Sequence, residues 1–386
     1  MSEYQYYEFL AIDRRLDESD RKALRALSTR ATITATRFVN TYQWGDFKGD
    51  PAKLMERWFD LHLYLANWGT RRLMLRLPER FVDVPGLGRF LDAVDEVTIR
   101  RAGDNVIFDI LSECKEPDDD IWYDDDDEES DEGGRLAELA PLRADLIDGD
   151  LRLFYLLWLK ALEADALDDA TVEPLPGIGP LTDALAAGAA FFRIDPDLVA
   201  AAAEIEASAA VAPSPRALEA AVAGLPEAEK TAFLVRLVNA DPHAGTELKR
   251  LLRHHLPQAE TASQPPLRNV GALRARAEAI RHERERAEAE AAEARRRREA
   301  EEAEKQCRAR LDALARRGEA VWREIETEID RRNASGYTKA FDLLSDLKIL
   351  AAERGLTADF DTRLAGIRQR HAQKGRFLER LAAGGL

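Results

Sequence analysis

Residues 272–317 read ALRARAEAIRHERERAEAEAAEARRRREAEEAEKQCRARLDALARR, a stretch without Gly or Pro in which most residues are Ala, Glu or Arg. These residue types favour helix, so the stretch predicts one long α-helix. Large apolar side chains are nearly absent between Ile280 and Leu311, so the two apolar positions that each heptad of a coiled coil needs are missing. We therefore expect a single solvated helix, roughly 70 Å long at about 1.5 Å per residue, that keeps the two ends of the molecule apart.

Beyond Gly318 the sequence becomes amphipathic, as in helices that pack against one another. Large apolar side chains continue on both sides of Gly355, so two antiparallel helices joined at that glycine would bury them. We expect a helical hairpin over residues 334–386. Its apolar face needs cover from the preceding helix, from another domain or from a partner.

Residues 1–115 combine strand and helix signals, which predicts an α+β domain. Leu73, Leu75 and Leu77 alternate with other residue types, a pattern typical of a strand with one buried face. Apolar residues at 97–99 and 106–110 flank a turn at 102–105 and predict a β-hairpin.

A helix is expected to begin at Asp50 and Pro51, which suit an N-cap and the first helical position. We expect this helix to end near Gly69, because large apolar side chains recur at helical spacing: Leu54, Trp58, Leu61, Leu65 and Trp68. His62 lies beside this face, and we interpret it as a core or boundary histidine.

Residues 135–270 are rich in Ala and Leu and predict a helical domain.

The predicted fold class is an α+β N-terminal domain followed by mostly α-helical middle and C-terminal parts, with a long charged helix. The expected divisions are 1–115 for the α+β domain, 116–134 for an acidic flexible loop, 135–270 for the helical domain, 271–333 for the long helix and its continuation, and 334–386 for the hairpin.

The chain has 386 residues, of which 33% are charged, and a net charge of -16. Its two cysteines, Cys114 and Cys307, are too few for a disulfide framework or a Cys-built zinc site. No stretch approaches the roughly 18 consecutive apolar residues of a membrane-spanning helix. The start MSEYQYYEFL does not have the pattern of a signal peptide. We expect a cytoplasmic protein with no membrane partner.

Most of the negative charge lies in residues 116–132, EPDDDIWYDDDDEESDE, which contain 12 acidic and no basic side chains. One interpretation is a docking segment. Trp122 and Tyr123 would anchor in a pocket, while carboxylates such as Asp124 and Asp125 steer the segment towards another protein with a basic surface. The alternatives are a mimic of nucleic-acid phosphates and a solvated loop that only keeps the protein soluble.

The C-terminal tail, residues 363–380, is a better basic candidate than the arginine run of the long helix, because few acidic residues oppose its arginines and lysine. We identify four candidate nucleic-acid-binding residues there: Arg368, Arg370, Lys374 and Arg376. The run 295–298 is four consecutive arginines, but flanking glutamates largely neutralise it. A solvated helix face is the favoured interpretation of that run.

Sequence motifs for catalysis or metal binding are not apparent. None of the six histidines pairs with a cysteine, or with another histidine at the i, i+4 spacing of a zinc-binding helix. Neither a Gly-x-Ser-x-Gly motif nor a Ser/His/Asp arrangement is recognisable. We assign no catalytic residue, metal ligand or cofactor. An enzyme whose catalytic residues are scattered over distant segments remains open.

Several segments resemble those of one family of bacterial proteins of unknown function. They are YYEFLAIDRRL (6–16), YQWGDFKGDP (42–51), LANWGTRRLMLRLP (65–78), PLRADLIDGDLRLFYLLWLKAL (141–162), FFRIDPDL (191–198) and YTKAFDLLSDLKILAAERG (337–355). The ending FDTRLAGIRQRHAQKGRFLERLAAGGL (360–386) is similar to tails of some bacterial proteins with a SWIM-type zinc finger. That finger needs several cysteines and a histidine close together, which this chain lacks. The resemblance therefore implies no zinc site and no functional residue.

Three functions stay open at this point. The first is a non-catalytic interaction or scaffold protein that docks partners through the acidic-aromatic loop and the helical tail. The second is a nucleic-acid-associated accessory factor, in stress or phage defence, that binds through the basic tail. The third is an enzyme with its site in the α+β domain or in a crevice between helices.

Overall fold

The computed structural model describes residues 4–113, 134–206, 214–255 and 266–386. The predicted fold class is confirmed, because an N-terminal antiparallel sheet with helices is followed by a helical remainder that includes one long helix. The chain divides into two compact units, which are described separately below.

The first unit, Met1–Glu283, contains a seven-stranded sheet in the part of the chain that the structure describes. Its strands are β1 (Gln5–Leu10), β2 (Thr32–Ile33), β3 (Arg37–Tyr42), β4 (Leu61–Ala66), β5 (Thr70–Pro78), β6 (Val97–Ala102) and β7 (Asn105–Glu113). The spatial order is β2-β3-β1-β4-β5-β7-β6, and every neighbouring pair is antiparallel. The hairpin predicted around the turn at 102–105 is β6–β7.

The same unit contains ten described α-helices and the start of an eleventh. They are α1 (Glu18–Leu27), α2 (Pro51–Arg57), α3 (Gly88–Leu91), α4 (Ala140–Asp148), α5 (Arg152–Glu163), α6 (Asp183–Phe191), α7 (Pro196–Ala203), α8 (Pro215–Gly224), α9 (Glu227–Val238), α10 (Ala244–His255) and α11 (Val270–Arg317). Asp195 caps α7 by accepting a hydrogen bond from the Asp197 backbone N–H.

Successive side chains of each strand point to opposite faces of the sheet, and both faces are buried. One face, with Leu63 and Leu75, shares a single apolar core with α4–α7 and the first turns of α11. The opposite face, with Phe9 and Met74, forms a separate aromatic-rich core with α1 and α2. Both faces are covered, so the central strands are apolar on both sides.

The helix expected from Asp50 to Gly69 is wrong in its second half. Asp50 caps α2 as predicted, by accepting a hydrogen bond from the Ala52 N–H at 3.0 Å, but α2 ends at Arg57. Residues 61–66 instead form β4, which pairs with β1 on one side and β5 on the other. Leu61 and Leu65 suit either a helix face or a strand face. The backbone hydrogen bonds to two neighbouring strands favour the strand.

Helix α11 spans 48 residues, as the long-helix prediction requires. From residue 282 to residue 306 every position except Ala292 is exposed. The expectation that the whole of 272–317 stands free in water is wrong at both ends. Leu273 is fully buried in the core of the first unit, and Leu311 and Leu314 are buried in the core of the second. Large apolar side chains therefore anchor the two ends of α11, and the middle of the helix has none.

The second unit, Arg284–Leu386, contains the rest of α11 and four further helices. They are α12 (Glu319–Asp330), α13 (Ala334–Glu353), α14 (Thr357–Arg370) and α15 (Gly375–Ala383). The helices joined at Gly355 are α13 and α14, and α15 adds a third helix to the expected hairpin. Side chains such as Ile325, Leu344 and Phe377 form their common core. No helix within the described ranges is long and apolar enough to cross a membrane.

Candidate functional site

A cleft of about 1060 Å³ in the second unit is lined mostly by basic and amide side chains. It lies between the turn that joins α12 to α13, the C-terminal end of α14, and α15. Its lining has five side chains with a permanent positive charge: Arg332, Arg370, Lys374, Arg376 and Arg380. Two carboxylates, Asp330 and Glu379, belong to the same lining. We call this surface the basic cleft.

The turn between α12 and α13 fixes one wall of the basic cleft. Asn333 caps α13, with its Oδ1 accepting a hydrogen bond from the Gly336 N–H at 2.7 Å. Gly336 is buried, and a Cβ there would lie 2.4 Å from the Glu328 carbonyl oxygen, so only glycine allows this close approach. Arg332 adopts a left-handed conformation with φ of 55° immediately before the cap, and it is exposed at the edge of the cleft.

Helix α15 forms the opposite wall because of its amphipathic sequence. Phe377 and Leu381 are fully buried in the core of the unit. Arg376 and Arg380 are exposed and four positions apart, so they lie on the same side of the helix. The burial of the two apolar side chains therefore determines where the two guanidinium groups are presented.

Three of the four basic residues predicted to bind nucleic acid line the cleft, and two of these form internal ion pairs. Arg370 pairs with Glu326 at 2.6 Å, and Lys374 pairs with Asp330 at 2.7 Å. Arg376 has no ion pair with any residue in the described ranges. Arg368 does not line the cleft, and it donates a hydrogen bond to the Leu386 carbonyl oxygen.

The carboxylates that pair with the cleft residues stay ionised. Burial alone would raise the pKa of Glu326, but hydrogen bonds from His371 and Arg370 outweigh it and lower that pKa. A hydrogen bond from Lys374 lowers the pKa of Asp330. The charges of Arg370 and Lys374 are therefore largely balanced by neighbouring carboxylates at neutral pH.

Three other cations at the basic cleft have no ion pair of their own, although Asp330 and Glu379 belong to the same lining. Arg332, Arg376 and Arg380 are exposed, and none of them has an ion pair or side-chain hydrogen bond with any residue that the structure describes. We call them the unpaired arginines. Of the three, only Arg376 was among the binding residues predicted from the sequence of the tail. Arg332 precedes the tail, residues 363–380, by 31 positions, and only the packing of α12 and α15 against α13 reveals its place.

Uncharged groups complete the lining. Tyr337, half-buried in the first turn of α13, packs against Phe377 with 5.6 Å between ring centroids. Asn333 and Gln373 add side-chain amides at the same surface. The arrangement offers guanidinium donors, amide donors and one aromatic ring, which suits the binding of a phosphate-bearing ligand.

The acidic-aromatic docking residues Trp122, Tyr123, Asp124 and Asp125 lie outside the residues that the structure describes. Their assignment therefore stays a prediction. Within the described ranges, no group of three His, Cys, Asp or Glu side chains is arranged to hold a metal ion.

A second polar cluster is buried in the first unit. The Asp60 carboxylate accepts hydrogen bonds from the backbone N–H of Ile12 and Asp13 and pairs with Arg76 at 2.8 Å. Arg143 bridges Asp13 at 2.6 Å and Asp60 at 3.6 Å. Burial would raise the pKa of Asp13, but hydrogen bonds from His243 and Arg143 lower it to about 2. Every charge in this cluster has an opposite charge close by, so a structural role accounts for it.

Comparisons of the chain with known protein families, with curated proteins and with solved structures found no match. The resemblance of the quoted segments to a bacterial family therefore stays a prediction.

Proposed function

We propose that this protein is a non-catalytic binding protein that holds single-stranded nucleic acid in the basic cleft of its second unit. The observation that supports the proposal is the convergence of three unpaired arginines on one cleft. An arginine guanidinium donates two parallel hydrogen bonds to a phosphate and keeps its charge at any physiological pH. Three such groups around one cleft can each contact a different phosphate, so a chain with several consecutive phosphates suits the cleft better than a single anion does.

Single-stranded nucleic acid fits the chemistry of this cleft better than an acidic peptide does. Tyr337 offers an aromatic ring among the cations, and stacking on such a ring is available to every base. The side-chain amides of Asn333 and Gln373 can donate to base or phosphate oxygens. A peptide rich in Asp and Glu would use the guanidinium groups but not the ring.

The charge of the second unit supports the same ligand class despite the acidity of the whole chain. Residues 284–386 contain 23 basic and 20 acidic side chains, whereas the chain has a net charge of -16. Most of the acidic excess lies in residues 116–132 of the first unit. Phosphate contacts at the cleft would form locally and weaken with salt, because the Debye length is about 8 Å at physiological ionic strength.

The experiment is a binding titration of the full-length protein with a fluorescent 20-nucleotide oligothymidine, followed by anisotropy at low salt. The test variant changes Arg332, Arg376 and Arg380 to Ala together. We expect its affinity to be lower by roughly tenfold or more, since each substitution removes a charge-assisted contact.

The matched control changes Arg316, Arg323 and Arg354 to Ala. These arginines are also exposed, have no ion pair in the described part of the chain, belong to the same unit and lie outside the cleft. The control removes the same total charge, so its affinity is expected to stay close to that of the unmodified protein. Absence of binding by the unmodified protein, or equal weakening by both variants, would refute the proposal.

A second candidate function is docking of a protein partner with a basic surface, favoured by the 12 acidic side chains of residues 116–132. Trp122 and Tyr123 would supply the apolar anchors, and Asp124 and Asp125 the attraction. Changing both aromatic residues to Ala is expected to release a co-purified basic partner. Retention of that partner by the variant would rule out anchoring by the aromatic pair.

A further inference from the structure

The first unit contains an apolar cleft of about 390 Å³ between the sheet and the segments that cover it. Leu77 of β5 and Phe108 of β7 form its floor, and both are fully buried. Leu146 of α4 and Phe154 of α5 form one wall, and Leu87 forms another. We call this space the sheet cleft. Its volume lies in the range of about 300–1,000 Å³ typical of small-molecule sites.

The sheet cleft is open to solvent, so the apolar side chains that line it present apolar surface to water. Covering such surface with an apolar group is favourable, at about 25 cal/mol per Å². The surrounding core is otherwise well filled, with Tyr155 and Trp158 of the neighbouring helix almost completely buried. A ligand with an apolar body would remove this surface from water.

Two arginines at the sheet cleft indicate the charge of such a ligand. Arg250 of α10 is half-buried, and its Nη1 donates to the Phe81 carbonyl oxygen at 2.9 Å. Arg89 is exposed and stacks over Phe90 at 4.9 Å from the ring centroid. Neither guanidinium has a carboxylate partner among the residues that the structure describes. A half-buried cation without a counter-ion is unusual, because desolvation is normally offset by an opposite charge.

Asp83 contributes a carboxylate to the same lining, but its environment limits its effect on a ligand. It is exposed, and its Oδ1 accepts a hydrogen bond from the Gly86 N–H at 3.3 Å. Two guanidinium groups therefore outweigh one solvated carboxylate. The local charge remains positive.

We propose that the sheet cleft binds a small carboxylate with an apolar chain, the chain lying against Phe108 and Phe154 and the carboxylate facing Arg250 and Arg89. This site belongs to the first unit and does not depend on the proposed nucleic-acid function. The residues provide one apolar compartment and one cationic side, which is the arrangement that an amphipathic anion requires.

The test compares octanoate with 1-octanol by isothermal titration calorimetry of the full-length protein. The two probes share the alkyl chain and differ in the charged head group. Octanoate is expected to bind about tenfold more tightly than 1-octanol, the difference that charge-assisted hydrogen bonds to guanidinium confer. Failure of octanoate to bind, or equal affinity for both probes, would overturn the proposal.

Substitutions locate the site. Arg250→Gln is expected to weaken octanoate binding about tenfold and leave 1-octanol binding unchanged. Arg89→Gln is also expected to weaken octanoate binding. Unlike Arg250, Arg89 makes no hydrogen bond to the fold among the described residues, so a loss of binding in this variant does not reflect a change in structure. Val82→Trp, which places a large ring in the lining, is expected to weaken both probes. Arg101→Gln is the control, because this exposed arginine of β6 lies outside the cleft. Octanoate affinity that is the same in Arg250→Gln, Arg89→Gln and Val82→Trp as in the control would contradict the assignment.

Discussion

The Nε2 atom of His243 lies 2.9 Å from the Oδ2 atom of Asp13, although 230 positions separate the two residues in the chain. Asp13 follows the first strand, and His243 immediately precedes α10. Arg143 of α4 donates to the same carboxylate oxygen at 2.6 Å. One carboxylate thus connects the sheet, α4 and the segment that leads into α10.

Replacing Asp13 with Ala is expected to lower the free energy of unfolding by about 3 kcal/mol. The reason is that Arg143, only 4% exposed, would lose its nearest counter-ion while remaining buried. Urea unfolding of the full-length protein at neutral pH measures the change. Asp168→Ala, at an exposed carboxylate without a side-chain partner in the described structure, is expected to change stability by less than about 0.5 kcal/mol. Equal effects of the two substitutions would contradict this role of Asp13.

The stabilisation by Asp13 is expected to disappear in acid. Hydrogen bonds from His243 and Arg143 overcome the effect of burial and lower the pKa of Asp13 to about 2, from an ordinary value of 3.8. A lowered pKa in the folded state gives stability that is complete above the ordinary value and is lost as the pH falls towards 2. The stability difference between the unmodified protein and Asp13→Ala should therefore narrow between pH 3.8 and pH 2. A constant difference over that window would be inconsistent with the prediction.

His62 predicts a second pH dependence, at milder acidity. Its Nδ1–H donates to the Glu8 carbonyl oxygen at 2.9 Å, while its Nε2 is buried without a hydrogen-bond partner in the described structure. Burial lowers the pKa of His62 from 6.5 to about 3. Between these values the unfolded chain binds more protons than the folded one, so stability falls as the pH drops from 6.5 towards 3. The loss from this one group is on the order of 5 kcal/mol at the acidic end.

The substitution His62→Phe tests this source of acid sensitivity. A phenyl ring preserves the stacking on Phe9, where the ring centroids are 3.9 Å apart, and it cannot be protonated. Urea unfolding at several pH values should give a flatter dependence between pH 6.5 and pH 3 for the variant. If the two dependences were parallel, other groups would be responsible for the acid lability.

Glu173 and Arg268 form a buried pair whose members are expected to depend on each other. Glu173 has no exposed side-chain surface and accepts hydrogen bonds from Arg268 and, at 2.5 Å, from the Tyr155 hydroxyl. Glu173→Met is expected to cost about 3–5 kcal/mol because it leaves Arg268 as an uncompensated charge. The double substitution Glu173→Met with Arg268→Met is expected to recover part of that loss. A double variant whose loss equals the sum of the two single losses would show that the pair is not coupled.

The long helix is expected to differ in stability along its length. Residues from 284 to 306 are exposed except for Ala292, whereas Leu273 and Leu311 are anchored in cores. Helix without tertiary packing depends on propensity and opens locally at low cost. Hydrogen exchange monitored by mass spectrometry should therefore be faster for peptides within 284–306 than for peptides covering 270–281 or 308–317. Uniform protection along the helix would indicate that the middle is covered in solution.

The sequence predicted the fold class, and it failed where one pattern suited two structures. Leu73, Leu75 and Leu77 were recognisable as strand residues because their alternation has no helical equivalent. Leu61 and Leu65 fit both a helical repeat and a strand, and the choice depends on pairing with β1 and β5, which are distant or later in sequence. A local pattern does not contain that information.

The candidate sites were only partly predictable, because they are formed by residues from segments that are distant in the sequence. Arg376 was selected because basic residues cluster along the tail. Arg332 joins it only through the packing of separate helices. The sequence did not predict the sheet cleft, because its floor and walls come from separate elements, β5, β7, α4 and α5. The side chains that these elements contribute are apolar, and in the sequence they cannot be told from other core residues.

The salt dependence of oligothymidine binding tests the proposed nucleic-acid function most directly. For single strands, the slope of log affinity against log salt concentration is about -0.7 per neutralised phosphate. If Arg332, Arg376 and Arg380 each contact a phosphate, the slope for the unmodified protein should be steeper by about 2 than that of the variant with all three changed to Ala. The variant with Arg316, Arg323 and Arg354 changed to Ala should keep the steeper slope. Identical slopes for the unmodified protein and the cleft variant would contradict phosphate binding by the unpaired arginines.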